Sequence, residues 1–505
     1  MKTRVCIVLS GITLSVTLIM GFRDFEEIPK VWDVAKLRSM FLPLPDSSMI
    51  LNPVSEEYYY QIPERVAYKT YPFYMPGREP EGYYDWLRQQ QPEIIFNAAD
   101  MKSDADWIKA GEAIYDMPEV YEVIDTTYLK TLPALERHWR KFIPITKDGI
   151  IPFLSVVVRE KGRIELGSRT CGMCHTKLMP DGNLLKGGQG NFQFTTYLAS
   201  LLQVQRDLKK ASDSVISLRT KAFNKLLFEA PWIKNESQER MNKLSVDDWL
   251  NSFSTPPGVF HRQGTGLGIP TSAPDLFNMS KRKYLDHTGH LLQRDIGDLM
   301  RYATLNQSAD KLNEFNGFTP FTRPADPRKG NVTRFSDDQL FALAKYIYSL
   351  SSPKNPTVYS KNLLKKGQSI FIEQGCVTCH TPPLYSNNKL TPVDGFEPPA
   401  SHLRQYDIFN ISVGTDPGLS LYTRRGTGYY KVPSLIGAWN RTAFLHGGYL
   451  ANLEDMFDSK RLNADYVPTL YRPYWVDRMA VVGHPFGTEL SEQDKSALIA
   501  FVKSL

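Results

Sequence analysis

Apolar and polar positions recur at helical spacing in three places late in the chain. The C-terminal stretch LSEQDKSALIAFVKSL opens on Ser491, carries Asp494 in its first turn and then repeats apolar residues at the helical interval, which predicts a capped helix. FSDDQLFALAKYIYSL, from Phe335 to Leu350, matches it nearly position for position, with Ser336 and Gln339 set for a capping box. SKNLLKKGQSIFIEQG places Leu363, Leu364, Ile370 and Phe371 on one side of a third, short amphipathic helix. Earlier, IIPFLSVVVREKGRIELGSRT reads as a β-hairpin, and a polar stretch around 196–250 reads as helical. Residues 23–150 are rich in Pro and Tyr, which predicts an irregular extension poor in long helices.

One apolar run is of another kind. Lys2 and Arg4 precede an uncharged segment from Val5 to Phe22, followed by Asp24, Glu26 and Glu27. A basic start before an apolar stretch predicts export. Residues 1–22 are thus expected to be a signal peptide or an N-terminal membrane anchor, with Cys6 part of it. The bulk is expected in the periplasm or otherwise outside the cytoplasm. The 505 residues are 42% apolar and 23% charged, and the formal charge is +6. That is an ordinary globular composition, and no Lys/Arg run with interleaved aromatics points to nucleic acid.

The other four cysteines carry the chemistry. Cys171, Cys174 and His175 spell Cys-x-x-Cys-His, and Cys376, Cys379 and His380 spell it again. This is the attachment motif of c-type haem: two thiols form thioethers to the porphyrin, and the adjacent His becomes the proximal iron ligand. A zinc site would want its Cys pairs roughly 15–20 residues apart. A redox Cys-x-x-Cys explains neither the duplication nor the two histidines. Two covalently bound haem c groups are therefore expected.

The pattern around the motifs repeats as well. Ile269-Pro270-Thr271 aligns with Val432-Pro433-Ser434, His287 with His446, and the helix from 335 to 350 with the C-terminal one. The expected fold is mainly α: two cytochrome c-type haem domains in tandem, 151–350 and 358–505, with loop-rich insertions and the extension 23–150 packed on them.

The second axial ligand decides which iron can react. His484, in VVGHPFGTELS, lies on a loop before the closing helix and is the candidate distal ligand of haem 2, with Met479 as runner-up. The matching position in the first repeat falls near Lys329, in a stretch with neither His nor Met. Haem 1 is therefore expected to be open or weakly ligated, with His261, His287 and His290 as the candidates left for its distal pocket. Its catalytic residues stay unassigned beyond His287 and His290.

Both attachment motifs, GYYKVPSL, AFLHGGYLANLEDMF and LSEQDKSALIAFVKSL together make the chain resemble the bacterial dihaem cytochrome c peroxidase superfamily. That superfamily also holds the methylamine dehydrogenase maturation enzyme and the dihaem rubber oxygenase. The resemblance runs from the first motif to the C-terminus. It implies a catalytic haem 1 acting on a small oxidant such as hydrogen peroxide. It also implies an electron-transfer haem 2 fed by a small donor protein of cytochrome c or cupredoxin type. An aromatic residue between the irons (Trp232 or Trp249) and a calcium ion between the domains are further implications, though no compact acidic loop marks the calcium. Departures from the pattern are His446-Gly447-Gly448 in place of His-Asp-Gly, and no histidine soon after the first motif. His484 and the long extension look more like the oxygenase members. An oxygenase acting on an organic substrate and a plain electron-carrier cytochrome stand as alternatives to a peroxidase.

Overall fold

The computed structural model describes residues 27–308, 311–330 and 332–505. The expected export segment, Val5–Phe22 with Cys6, lies outside them. Among the described residues no helix is long and apolar enough to cross a membrane.

Two helix pairs organise the chain. Lys361–Glu373 packs across Glu492–Lys503, and Asp104–Tyr115 packs across Asp337–Ser349. Each crossing has a glycine at its closest point. A Cβ on Gly367 would run into the carbonyl of Ala497, and one on Gly111 into that of Ala342. Only a residue without a side chain lets the backbones meet this closely. The Ser336–Gln339 capping box forms as its sequence predicts, and Ser491 caps the last helix by accepting from the Asp494 amide.

The first pair changes the domain picture. The expected start at 151 falls inside the strand Ile150–Glu160, and the opening helix of the first unit is Asp104–Tyr115. A four-stranded antiparallel sheet interrupts that unit, three of its strands falling between the helix and the Cys motif. The strands run in the order Thr70–Tyr74, Ile150–Glu160, Arg163–Ser168, Val120–Val123. Its centre is the hairpin expected from sequence: Val156, Val157 and Val158 favour strand, and Lys161-Gly162 turns the chain with Gly162 at φ +83°. The architecture is accordingly mixed helix and sheet rather than mainly α, with 37% of residues helical and 13% in strands.

The segment before 150 is less irregular than its proline content suggests. It holds helices Val34–Met40 and Glu56–Gln61, and its Val31, Trp32, Leu37, Met40 and Tyr59 share one core with Leu340, Leu343 and Ile347. It is part of the first unit's interior.

The repeat is legible in backbone detail. Short 3-10 turns Met279–Lys281 and Ala438–Asn440 follow left-handed Asn278 (φ +54°) and Gly437 (φ +73°). Leu285 then pairs with Leu291, as Phe444 does with Leu450, around left-handed Asp286 (φ +69°) and Leu445 (φ +64°). This register superposes His287 on His446, as expected, but Pro274 rather than Pro270 on Pro433. Thr271 and Ser272, which close a two-stranded hairpin, match Tyr430 and Lys431 in the second unit.

Candidate functional site

In the second unit, a 3-10 turn over Cys376–Thr378 presents the two thiols, and the His380 amide closes back on the Cys376 carbonyl at 2.8 Å. The His380 ring donates through Nδ1 to the Tyr385 carbonyl at 3.1 Å, which leaves Nε2 as the free nitrogen. Across from it stands His484, their ring centres 6.2 Å apart. Imidazole nitrogens bind a first-row metal ion at about 2.0 Å, and a ring centre lies roughly 1.1 Å behind its nitrogen, so two imidazoles sharing one ion on a line have centres about 6.2 Å apart. His484 Nδ1 is buried with no hydrogen-bond partner among the described residues.

Both histidines open onto a cavity of about 480 Å³ that also exposes Cys376 and Cys379. Most of its wall is apolar, including Phe371, Leu435, Phe444, Met456, Leu498 and Val502. One end is cationic: Arg282, Lys431 and Arg441 reach it, and Arg282 Nε is buried without a partner. Lys431 is pushed down to about 7, chiefly by burial and then by the neighbouring Arg282. An apolar slot with two opposed imidazoles, two thiols at the wall and a charged end asking for anions fits an amphiphilic haem with its propionates at the cations. Met479 does not line the cavity; its amide donates to the Tyr466 carbonyl, and its side chain packs into the adjoining core.

In the first unit the motif forms the short helix Cys171–His175, capped by Thr170 accepting from the Met173 amide at 3.2 Å. His175 donates through Nδ1 to the Pro274 carbonyl at 2.9 Å, again leaving Nε2 free. Tyr115 donates from its hydroxyl to the His175 carbonyl at 2.6 Å. Gly190 passes so close to Cys174 that a Cβ would sit 2.5 Å from the Cys174 carbonyl oxygen. None of the four motif cysteines is in a disulfide, and burial pushes the Cys174 thiol up to about 12. The donor set Cys171, Cys174 and His175 fits haem attachment.

Lys329, near which the sequence repeat places the counterpart of His484, is exposed on the turn Pro327–Lys329. Three histidines are the expected candidates for the distal pocket of haem 1. His261 is saturated: Nδ1 donates to the Phe253 carbonyl at 3.3 Å, and Nε2 accepts from the Gly268 amide at 3.2 Å. His287 lines the second unit's cavity and donates from Nε2 to the Ser272 carbonyl at 2.9 Å. His290 is buried with its ring 5.3 Å from that of Phe41.

The two motifs are joined by a short polar route. Asp275 follows the carbonyl that holds His175, and its carboxylate takes both Arg282 and, at 2.7 Å, Arg441. Those arginines hold Asp275 below the usual carboxylate range against the cost of its burial. Arg441 also donates to the Ser434 carbonyl at 2.7 Å, beside Pro433. Neither expected aromatic bridge lines the cavity. Trp249 stacks on Phe253 and donates to Asn224, and Trp232 packs on Phe315 and Phe318. Among the described residues no group of three or more His, Cys, Asp or Glu side chains is arranged to hold a metal ion.

No family model matches the chain, and no curated protein matches it in sequence. Among solved structures it is similar to the hydrazine synthase of Kuenenia stuttgartiensis, at 16% identity and TM-score 0.29, over 58% of this chain and 93% of that one. A MauG-like protein associated with microbial copper homeostasis overlaps at 15% identity and TM-score 0.28, over 48% and 80%. The diheme peroxidase BthA from Burkholderia thailandensis overlaps at 12% identity and TM-score 0.27, over 90% and 94%. Overlap at such scores says nothing of chemistry, which rests on the residues themselves.

Proposed function

We propose that the protein is an exported dihaem c-type oxidoreductase of peroxidase-like function. Haem 1, on Cys171, Cys174 and His175, is the open site for a small oxidant such as hydrogen peroxide. Cys376, Cys379, His380 and His484 would hold haem 2, which would supply electron transfer from a small donor protein. The observation that carries this reading is the opposition of His380 and His484 at 6.2 Å, against an exposed Lys329 near the matching place in the sequence repeat. When bound, the haems supply one-electron chemistry and, where a coordination position is left free, a place for the oxidant.

The chain's own residues do the rest. The cysteines fix each ring, and Tyr385 and Pro274 orient the proximal imidazoles through Nδ1, keeping Nε2 for the metal. Arg282, Lys431 and Arg441, which line the same cavity, would meet the carboxylates of haem 2. Pro274, Asp275 and Arg441 give a bonded path between the sites.

Resting-state EPR with cyanide titration tests the proposal. One low-spin and one high-spin ferric haem are expected, with cyanide binding only the latter. Two low-spin haems that never bind cyanide or carbon monoxide would leave a plain electron carrier. Peroxide turnover with a reduced donor, set against oxygen uptake with organic substrates, separates peroxidase from oxygenase.

A further inference from the structure

Arg461 is fully buried, and among the described residues no carboxylate lies within ion-pair distance of it. A guanidinium withdrawn from water without a counter-ion is costly, so a chain that keeps one there uses its donors. All of its described hydrogen bonds go to main-chain carbonyls. Nε donates to Met456 at 2.9 Å, Nη1 to Val481 at 2.6 Å and Gly483 at 2.9 Å, and Nη2 to His484 at 2.8 Å. Three of those four carbonyls belong to the loop that carries His484, and the fourth belongs to Met456, on the cavity wall.

That loop needs holding. His484 is a non-glycine residue in the left-handed region at φ +51°, directly after Gly483 at φ +86°. Such a conformation is strained and persists only where the surroundings over-determine it. Besides Arg461, the described hold on the His484 backbone is its amide donating to the Val413 carbonyl at 2.8 Å. A planar fork of fixed donors can define the path of several carbonyls at once, which a lysine cannot.

We infer that Arg461 is the positioning residue of the distal ligand: its fork to four carbonyls fixes the loop so that His484 faces His380 across the haem 2 slot. The inference deepens the proposed assignment of His484 and rests on it. Its prediction is specific, because weakening the fork frees the ligand while leaving the histidine in the sequence.

The test uses the full-length protein with both haems, as wild type, R461Q, R461K and H484A. EPR, cyanide association kinetics and thermal melting are read on each. R461Q is expected to lose the low-spin signal of haem 2 as H484A does. R461K, which keeps the charge but spans fewer carbonyls, is expected to bind cyanide at haem 2 at least about tenfold faster than wild type. If R461Q does not accumulate, R461K decides. A folded R461K with the wild-type spectrum and cyanide rate, and only a lower melting temperature, overturns the inference and leaves His484 as ligand. An unchanged spectrum in H484A overturns the ligand assignment itself and the inference with it.

Discussion

Arg441 of the second unit places its guanidinium 2.7 Å from the carboxylate of Asp275 in the first, one residue beyond the carbonyl that orients His175. Asp275 also takes Arg282, which occupies in the first unit the place of Arg441 in the second. One carboxylate therefore ties two repeat-related arginines and both attachment sites. Asp275→Asn leaves two cations short of their anion in a buried setting and is expected to cost about 3–5 kcal/mol of stability. Urea unfolding of D275N, R441Q and the double variant measures it; strictly additive losses would mean that the pair is not coupled.

Lys431 lines the proposed haem 2 cavity and carries its positive charge below its lowered value of about 7. A nearby cation favours the more negative, reduced state of the group. Lys431→Met is expected to lower the midpoint potential of haem 2 by on the order of 60 mV, one tenfold step in a one-electron equilibrium. Spectroelectrochemical titration reads it, and a potential that does not move argues against carboxylates meeting Lys431.

The covalent assignment has a simple check. Replacing both Cys376 and Cys379 by Ala should leave one haem addition in the intact mass instead of two, as should the pair Cys171 and Cys174. Two additions in either double variant would refute attachment at that motif.

Gly367 and Gly111 permit the two helix crossings. Valine at either should force the helices apart and cost about 1–3 kcal/mol or more. Gly367→Val is expected to affect haem 2, and Gly111→Val haem 1, in the absorption spectra of refolded protein. A wild-type melting curve for either variant would show that its crossing can relax.

His261 gives a pH signature. Burial pushes its folded-state value down to about 4, from about 6.5 in an unfolded chain. Above pH ~6.5 both states are neutral there and the stability is fully present. As pH falls from ~6.5 to ~4 the unfolded chain takes a proton that the folded one refuses, so stability drops by up to about 1.4 kcal/mol per pH unit. Other buried histidines share this direction, so the measurement is the difference in slope between wild type and H261Q. Equal slopes would mean that His261 is not held neutral.

Local chemistry was the readable part of the sequence. The Cys-x-x-Cys-His motifs, the Ser336–Gln339 cap, the hairpin around Lys161-Gly162 and the helix that closes each unit depend on residues close together in the chain. The helix Asp104–Tyr115 escaped because its pairing with Asp337–Ser349 is long-range, and a sheet separates it from the motif it serves. Pro270 was matched to Pro433 because nearby sequence offers two prolines; only the His175 bond to Pro274 and the paired turns fix the register. Arg282, Lys431, Arg441 and Arg461 were invisible for a related reason. A buried cation looks like a surface one until the chain folds around it.

The three strands lodged between Asp104–Tyr115 and Cys171 also give the two units different assembly histories. The second unit closes with helices that enter and leave within one continuous stretch of chain, 361–503. The first must wait for 337–349 to meet a helix made far earlier, after threading strands and an all-helical insertion between them. High contact order of this kind slows folding. On the proposed assignment, Cys171 and Cys174 would then meet their haem while the core around them is still unclosed.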